Sequence, residues 1–324
     1  MPEYNIDRSG SSALMPEDYQ REIIQKTTEQ SIIMQLAKRL PNMPRKERRI
    51  PVLSVLPTAY FTNPGPGDVG DTGYKKTSKQ AWENKYLEAE ELNVIIPIPE
   101  AVFNDVDYDM WEQIKPQLLE AFGRAFDLAV LYGINAPAAW PTNIVTAAQA
   151  AGNAVSISTN LYTDIMDENG LLAKVEEDGY MVNGHISAMT MRAKLRGLRD
   201  ANGQPIFKSL YKEGVQGATR YEIDGEAIYF PRNGSIIPSR TLDICGDWDQ
   251  LLYAFRQDVT YKIDSEGVIQ DPDTGEIIYN LLQQNMIALR ACMRIAWQVP
   301  NPINRLNNDE ETRYPFAVLI PEGS

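Results

Sequence analysis

The stretch from Asp105 to Gly133, DVDYDMWEQIKPQLLEAFGRAFDLAVLYG, decides the reading of this chain. Within it Trp111, Ile114, Leu118, Phe122, Ala125, Ala129 and Tyr132 recur at steps of three and four, the spacing that puts side chains on one face of a continuous helix. Asp107 or Asp109 suits the N-cap, and Gly133 suits the C-terminal stop. At about 1.5 Å per residue such a helix runs roughly 35 Å. Pro116 lies inside it and is expected to kink it near its first turns.

Upstream, residues 1–12 are polar and read as a tail. From Pro16 to Leu40 a helical pattern follows, with Tyr19, Ile23, Ile24, Ile32, Ile33, Leu36 and Leu40 as its apolar positions. The polar run from Thr27 to Ser31 can break it in two, and Pro41 and Pro44 end it. With no obvious local partner, this apolar face is expected to dock on another subunit, with Ile32, Ile33 and Leu36 as contact residues. Ile50 to Phe61 reads as a strand of β-branched and aromatic residues, and Trp82 to Ile98 as a long returning strand. The even positions Trp82, Tyr86, Leu92, Val94, Ile96 and Ile98 would share one face, opposite Glu83, Lys85 and Glu91. The connecting tip, 62–79, is rich in Gly, Pro, Asp, Lys and Thr. A lone two-stranded ribbon is marginal in water, so this long hairpin is expected to lie on a neighbouring molecule, through Trp82 and Tyr86. Glu88, Glu90 and Glu91 read first as a solvated acidic face, and as an alternative they face the basic Lys75, Lys76 and Lys79 of another copy.

Downstream, a helical segment from Leu161 to Glu177 is broken near Gly170. An apolar strand, Tyr180 to Met189, precedes a basic helix from Thr190 to Asp200. Asp224-Gly225 between Arg220–Ile223 and Ala227–Phe230 is a strong hairpin signal. Asp271 to Gly275 is a turn, Tyr279 to Val299 a long helix or strand-helix unit, and Tyr314 to Ile320 an apolar closing stretch.

Composition bounds what the chain can do. Its 324 residues are 43% hydrophobic, enough for a sizeable core. The net charge of −13, with no basic stripe, argues against tight nucleic-acid binding. No run is long and apolar enough for a membrane helix, and residues 1–13 do not form a signal peptide. Cys245 and Cys292, far apart, read as buried free thiols of a reducing cytoplasm. His185 is the lone histidine and sits in an apolar strand, as a structural histidine would. Phosphate-loop and dinucleotide glycine patterns are missing. Asp105, Asp107 and Asp109 begin like a calcium loop, but Met110 and Pro116 stand where that loop needs Gly and Glu. No constellation meets the geometric needs of catalysis, so the expectation is a protein with no enzymatic role and no cofactor or metal.

The order of these parts resembles the major capsid proteins of tailed double-stranded DNA bacteriophages, the Hong Kong 97-type fold family. Asp105 to Gly133 is similar to that family's spine helix. Met189 to Phe207, with its Asp-x-x-Gly turn, is similar to a helix and turn of the family, and Ile223 to Tyr229 to the hairpin that follows. Gly246-Asp-Trp-Asp249 with Tyr253 to Tyr261, and Leu289 to Arg294 through Pro302, resemble its later segments. The likeness runs from about Pro16 to Leu306. It implies an α+β fold with an N-terminal arm (1–44), an extended hairpin loop (45–100), a peripheral domain carrying the spine helix (101–150 and 241–324) and an axial domain (151–240).

The implied function is assembly of hexamers and pentamers into an icosahedral shell around phage DNA, the virion capsid, after synthesis in the host bacterial cytoplasm. Implied partners are further copies of the chain, a scaffolding protein, a portal protein, in some shells a decoration protein, and packaged double-stranded DNA held weakly. No coiled-coil segment precedes the arm, so scaffolding is expected from a separate or very short element. Some members weld subunits by a Lys-to-Asn isopeptide bond, for which Lys75 or Lys76 and Asn301 or Asn304 are conceivable partners. An encapsulin-type compartment shell shares the fold, but the arm before residue 45 argues against it. A soluble hydrolase with an unseen site is the reading from another class.

Overall fold

The computed structural model describes residues 31–59, 77–101, 110–199, 203–205, 207–210, 220–271 and 274–322. The decisive helix is α2 (Met110–Tyr132), 23 residues unbroken through Pro116. Gly133, at φ 70°, ends it by donating its N–H to the Ala129 carbonyl at 2.9 Å, an arrangement that favours glycine because it has no Cβ to clash. Its N-cap lies outside the described residues. Before it come α1 (Ile32–Leu36), β1 (Lys38–Arg39), β2 (Glu47–Val55), β3 (Ala81–Glu88) and β4 (Glu90–Pro99).

Strands β1 and β4 join β11 (Leu252–Asp264) and β14 (Met286–Gln298) in a four-stranded sheet of order β1-β11-β14-β4. It is antiparallel except where β1 runs parallel to β11. Segment 279–299, expected to contain a helix, is instead the end of a short strand, a turn and the 13-residue β14. Alternation decides it. Ile287, Leu289, Ala291, Met293, Ile295 and Trp297 are buried on one face, while Arg290 is exposed on the other, a period of two that a helix cannot satisfy. The apolar stripe of α2, with Leu118, Phe122 and Phe126, shares a core with that face. Trp140 bridges Phe126 and Trp297 edge-on, with ring centroids 6.0 and 6.3 Å apart.

A seven-stranded sheet forms the other lobe, in the order β5 (Ala154–Ser156), β15 (Phe316–Ile320), β10 (Asp243–Gly246), β6 (Gly184–Ser187), β9 (Glu226–Tyr229), β8 (Arg220–Ile223) and β7 (Lys208–Leu210). Every residue of β15, β10 and β6 is buried, so these central strands are covered on both faces, and the polar His185, Ser187 and Asp243 are buried with them. Helices α3 (Ile144–Ala150), α4 (Leu161–Met166), α5 (Leu171–Glu177) and α6 (Met191–Arg196) accompany the sheet. The break expected near Gly170 separates α4 from α5, with Gly170 as N-cap. Asp224 and Gly225, at φ 53° and 91°, make the β8–β9 turn, in which both central residues need positive φ. Strands β12 (Val268–Gln270) and β13 (Ile277–Asn280) form a separate ribbon.

These sheets cut the chain differently from the expected division. Residues 90–99, assigned to the extended loop, are a strand of the spine-helix sheet. Residues 243–246 and 316–320, assigned with the spine helix, are central strands of the other sheet. Their full burial explains why: nothing but the middle of a covered sheet accommodates them.

Gly246 marks the tightest approach in that sheet. A Cβ there would fall 2.3 Å from the Pro315 carbonyl and 2.4 Å from a ring carbon of Phe316. Gly246→Ala is therefore expected to destabilise the subunit by about 3 kcal/mol or more, read as a lowered denaturant midpoint at unchanged m-value.

Candidate assembly surfaces

Paired β2 and β3 make the described part of the hairpin, in register from Glu47 opposite Glu88 to Val55 opposite Ala81. Its base is sealed by Leu87 and Ala89, buried with Met43, Ala254 and Ala296. Ala296 and Ala254 belong to the four-stranded sheet, on the face of β14 opposite Ile295 and Trp297, so the hairpin base and α2 cover opposite faces. Gln298 donates from its amide to the Tyr86 carbonyl at 3.0 Å. Arg48 donates to the carbonyls of Pro41 and Asn42 at 2.8 and 2.9 Å. Ile303 N–H reaches the Leu53 carbonyl at 3.2 Å, and Lys85 pairs with Glu310.

Ala89 breaks what the spacing predicts as one strand from Trp82 to Ile98. Even positions before and after it do not share a face. Trp82 and Tyr86 are 61% and 44% exposed, whereas Leu92, Val94 and Ile96 pack against the core beside α2, and Ile98 is buried. Trp82 and Tyr86 lie opposite Leu53 and Arg49, and exposed Pro51, opposite Asn84, shares their outer hairpin face, so two exposed aromatics and a proline stand there among the polar Arg49 and Asn84. Exposed aromatics on one face are what an interface needs and a free surface does not.

The other expected contact residues behave differently. Ile33 is wholly buried and Ile32 nearly so, within this chain's own core, and Leu36 packs against that core half-buried. They dock on α2 of the same molecule, so the partner expected from another subunit is met, for Ile32 and Ile33, within this chain. Helix α1 also ends at Leu36, not Leu40, because β1 takes Lys38 and Arg39 into a sheet. The rest of the expected arm helix, 16–30, lies outside the described residues.

The docking point is specific. Ser31 donates its hydroxyl to the Asp127 carboxylate, and the N–H groups of Ile32 and Ile33 donate to its two oxygens at 3.1 and 3.3 Å. One turn earlier on α2, a Cβ at Gly123 would lie 2.7 Å from the Ser31 nitrogen. Gly123 thus admits the backbone of Ser31, and Asp127 caps the N–H groups of α1 from across the fold. Sequence patterning missed Asp127, because one polar residue among the apolar positions of a long helix looks like a solvent-facing one.

The acidic residues are also answered within the chain. Glu90 pairs with Lys46 at 2.8 Å, and Arg294 donates twice to Glu91, at 2.9 and 2.5 Å. Hydrogen bonds from Asn93 and Arg294 hold the Glu91 carboxyl down at about 2. Both thus have a cationic partner within the chain. Glu88 is half-buried, with its carbonyl accepting from the Trp140 indole at 3.1 Å. Lys79 is exposed, and Lys75 and Lys76 lie outside the described residues.

The amides offered as isopeptide partners are engaged. The Asn301 oxygen accepts from the Tyr180 hydroxyl at 2.8 Å and from Arg313 at 3.1 Å, and its NH2 donates to the Arg313 carbonyl at 2.8 Å. Asn304 donates to the Asp178 carbonyl at 2.6 Å and accepts from the N–H groups of Leu306 and Asn307. Neither is presented for attack by a lysine. His185 is buried in β6 with Nδ1 3.0 Å from Asp243. Cys245 is buried, its thiol pushed up by burial. Cys292 is only half-buried, so one of the two expected buried thiols is not. Among the described residues no group of three or more His, Cys, Asp or Glu is arranged to hold a metal.

A long helix on one face of a four-stranded sheet, a hairpin standing on the other, and a second, seven-stranded lobe define a Hong Kong 97-type shell protein. Residues 11–304 match the model of the phage capsid family, and the chain belongs to that family. It is 29% identical over 303 residues to the major capsid protein of Staphylococcus phage 80alpha, covering 92% of this chain and 82% of that one. A solved chain from Microbacterium phage Oxtober96 superposes with a TM-score of 0.80 at 33% identity, covering 98% of this chain and all of that one. One from Mycobacterium phage Adephagia gives 0.79 at 27% identity, over 99% of each. The chain is a structural capsid protein of a tailed phage, and its place is the virion shell.

Ile33 and Trp82 separate folding from assembly. Ile33→Ala is expected to cost the unassembled subunit about 2–5 kcal/mol. Trp82→Ala should leave subunit stability within about 0.5 kcal/mol, both measured by chemical denaturation of unassembled protein.

Proposed function

We propose that the chain tiles an icosahedral head as hexamers and pentamers, and that the hairpin, with Trp82 and Tyr86, is the element that grips an adjacent copy. The observation that carries this reading is the exposure of Pro51, Trp82 and Tyr86 together on the outer face of a ribbon whose base is already sealed. A ribbon of two strands with one covered face stays marginal until something covers the other. Reuse of one contact around closed symmetry supplies such a cover in every subunit. Lys79, at the base of the tip, and Glu88 lie near enough in sequence to these residues to add charge beside them.

In this reading the spine-helix sheet forms the peripheral domain and the seven-stranded sheet the axial domain. The arm before residue 31 and the tip of the hairpin extend the subunit's reach. The protein acts by assembly and carries no enzymatic activity. A scaffolding protein guides closure, a portal protein occupies one vertex, and a decoration protein adds to the outside where the phage encodes one. Packaged double-stranded DNA is held by weak, salt-sensitive contact, in keeping with a net charge of −13. Subunits are made in the host cytoplasm. The alternatives of a compartment shell or a hydrolase have no observation in their favour.

Electron microscopy of the purified protein tests the assembly reading. The wild type should form closed shells, alone or with its scaffold, and Trp82→Ala/Tyr86→Ala should leave folded subunits or small oligomers. Shells from the double variant in wild-type yield would remove the hairpin from the role given it. Boiled in denaturant, wild-type shells should run as one band at the mass of a single chain, and a ladder would restore covalent linking.

A further inference from the structure

Asp127 is fully buried, and no ion pair forms with it among the described residues. The elements packed around it bring donors and no charge. From α1 come the Ser31 hydroxyl and the N–H groups of Ile32 and Ile33. From the segment before β10 comes the Asn233 amide, which faces the carboxylate without a well-formed bond. The cations nearest in sequence, Arg124 on α2 and Arg232 and Arg240 on that segment, have exposed side chains. Arg124 lies over Gly234, and Arg240 over the Tyr132 ring. Tyr132, the next titratable group along α2, is held above its ordinary value by burial.

We propose that Asp127 is a positioning residue for the N-terminal arm, and that its protonation tightens the grip on Ser31 to Ala37 while its ionisation loosens it. The carboxylate can be buried with three neutral donors and no cation only at a cost in solvation. Adding a proton at Oδ2 removes that cost at the expense of the Ile32 bond, while Oδ1 still accepts from Ser31 and Ile33. When the arm lifts, water reaches the carboxyl and the ordinary value of about 3.9 returns.

The direction follows from linkage. Burial, opposed by the hydrogen bonds from Ser31, Ile32 and Ile33, raises the docked Asp127 to about 6. One proton is therefore taken up on docking between roughly pH 4 and 6. Docking is strongest below that window and weakens as pH rises through about 6. The docking constant should fall about tenfold between pH 5 and pH 7.5. This sign is opposite to that of an acid-released arm, in which a paired carboxylate lets go on protonation.

Hydrogen exchange on the full-length, unassembled subunit tests the latch. The amides of Ile32, Ile33 and Met34 report docking, once intrinsic rates are corrected at each pH. Their protection should drop about tenfold from pH 5 to pH 7.5, while that of Ile244, in the middle of the seven-stranded sheet, does not follow. Ser31→Ala should lower protection at every pH and keep the slope. Asp127→Asn should abolish the slope. A flat or rising wild-type profile, or an Asp127→Asn profile that keeps the slope, overturns the proposal. Should Asp127→Asn not fold, the carboxyl carbon of Asp127 in the wild type decides by nuclear magnetic resonance: a midpoint near 6 supports the latch, and one below about 4.5 overturns it.

Discussion

The turnover of the chain at Ala89 is the constraint on which the projecting parts of this subunit depend. One small residue, buried against Ala254 and Ala296, separates β3 from β4. No larger side chain suits a gap between two alanines on the face of a packed sheet. Without that interruption, a continuous strand from Trp82 to Ile98 would send every even-numbered side chain to the same side. With it, the first half stands off the body with its aromatics outward, and the second half closes the core over α2. A single chain thus supplies both a core strand and a projecting ribbon.

The same economy appears in β14. Its odd residues form the floor under α2, and its even residues Ala288 and Ala296 are small enough for other elements to lie on the opposite face. Arg294, also on that face, ties the strand to Glu91 of β4. The pairs Lys46–Glu90, Lys85–Glu310 and Arg294–Glu91 are all partly exposed, so each adds little stability by itself. Each joins residues of different segments near the hairpin.

What could be read from residues alone was whatever carries its own periodicity or turn chemistry. Helix α2 was legible because seven apolar residues keep helical spacing and Gly133 stops it. The β8–β9 hairpin was legible because Asp-Gly answers a local need for positive φ. The interruption at Gly170 was legible for a similar reason. The misreadings have one cause, which is that a partner from far along the chain decides the outcome. Leu, Gln, Met, Ala and Arg favour a helix in residues 281–294, yet pairing with β4 and β11 makes most of that stretch a strand. Ile32 and Ile33 looked unpartnered because their partner lies more than 90 residues away on α2. Glu90 and Glu91 looked like a free acidic face because Lys46, just before β2, and Arg294 of β14 come from distant parts of the chain. At the candidate interface, Trp82 and Tyr86 were legible as exposed because alternation within one short strand is a local property, whereas the flip at Ala89 was not.

Asp127 and Ala89 then share the work of orientation from opposite faces of the four-stranded sheet. Ala89, by its small size, sets the place where the hairpin leaves the sheet. Asp127 sets the departure of the arm by hydrogen bonds to a buried carboxylate, which responds to charge. Shell subunits occupy positions that differ by small angles around five-fold and six-fold axes, and the same interfaces must tolerate both. On the proposal made above for Asp127, a hairpin placed by the size of one residue and an arm held by one ionisable carboxyl would meet that demand in different ways. The socket suits that division, since Gly123 admits the Ser31 backbone by shape while the strength of the hold depends on one ionisable group.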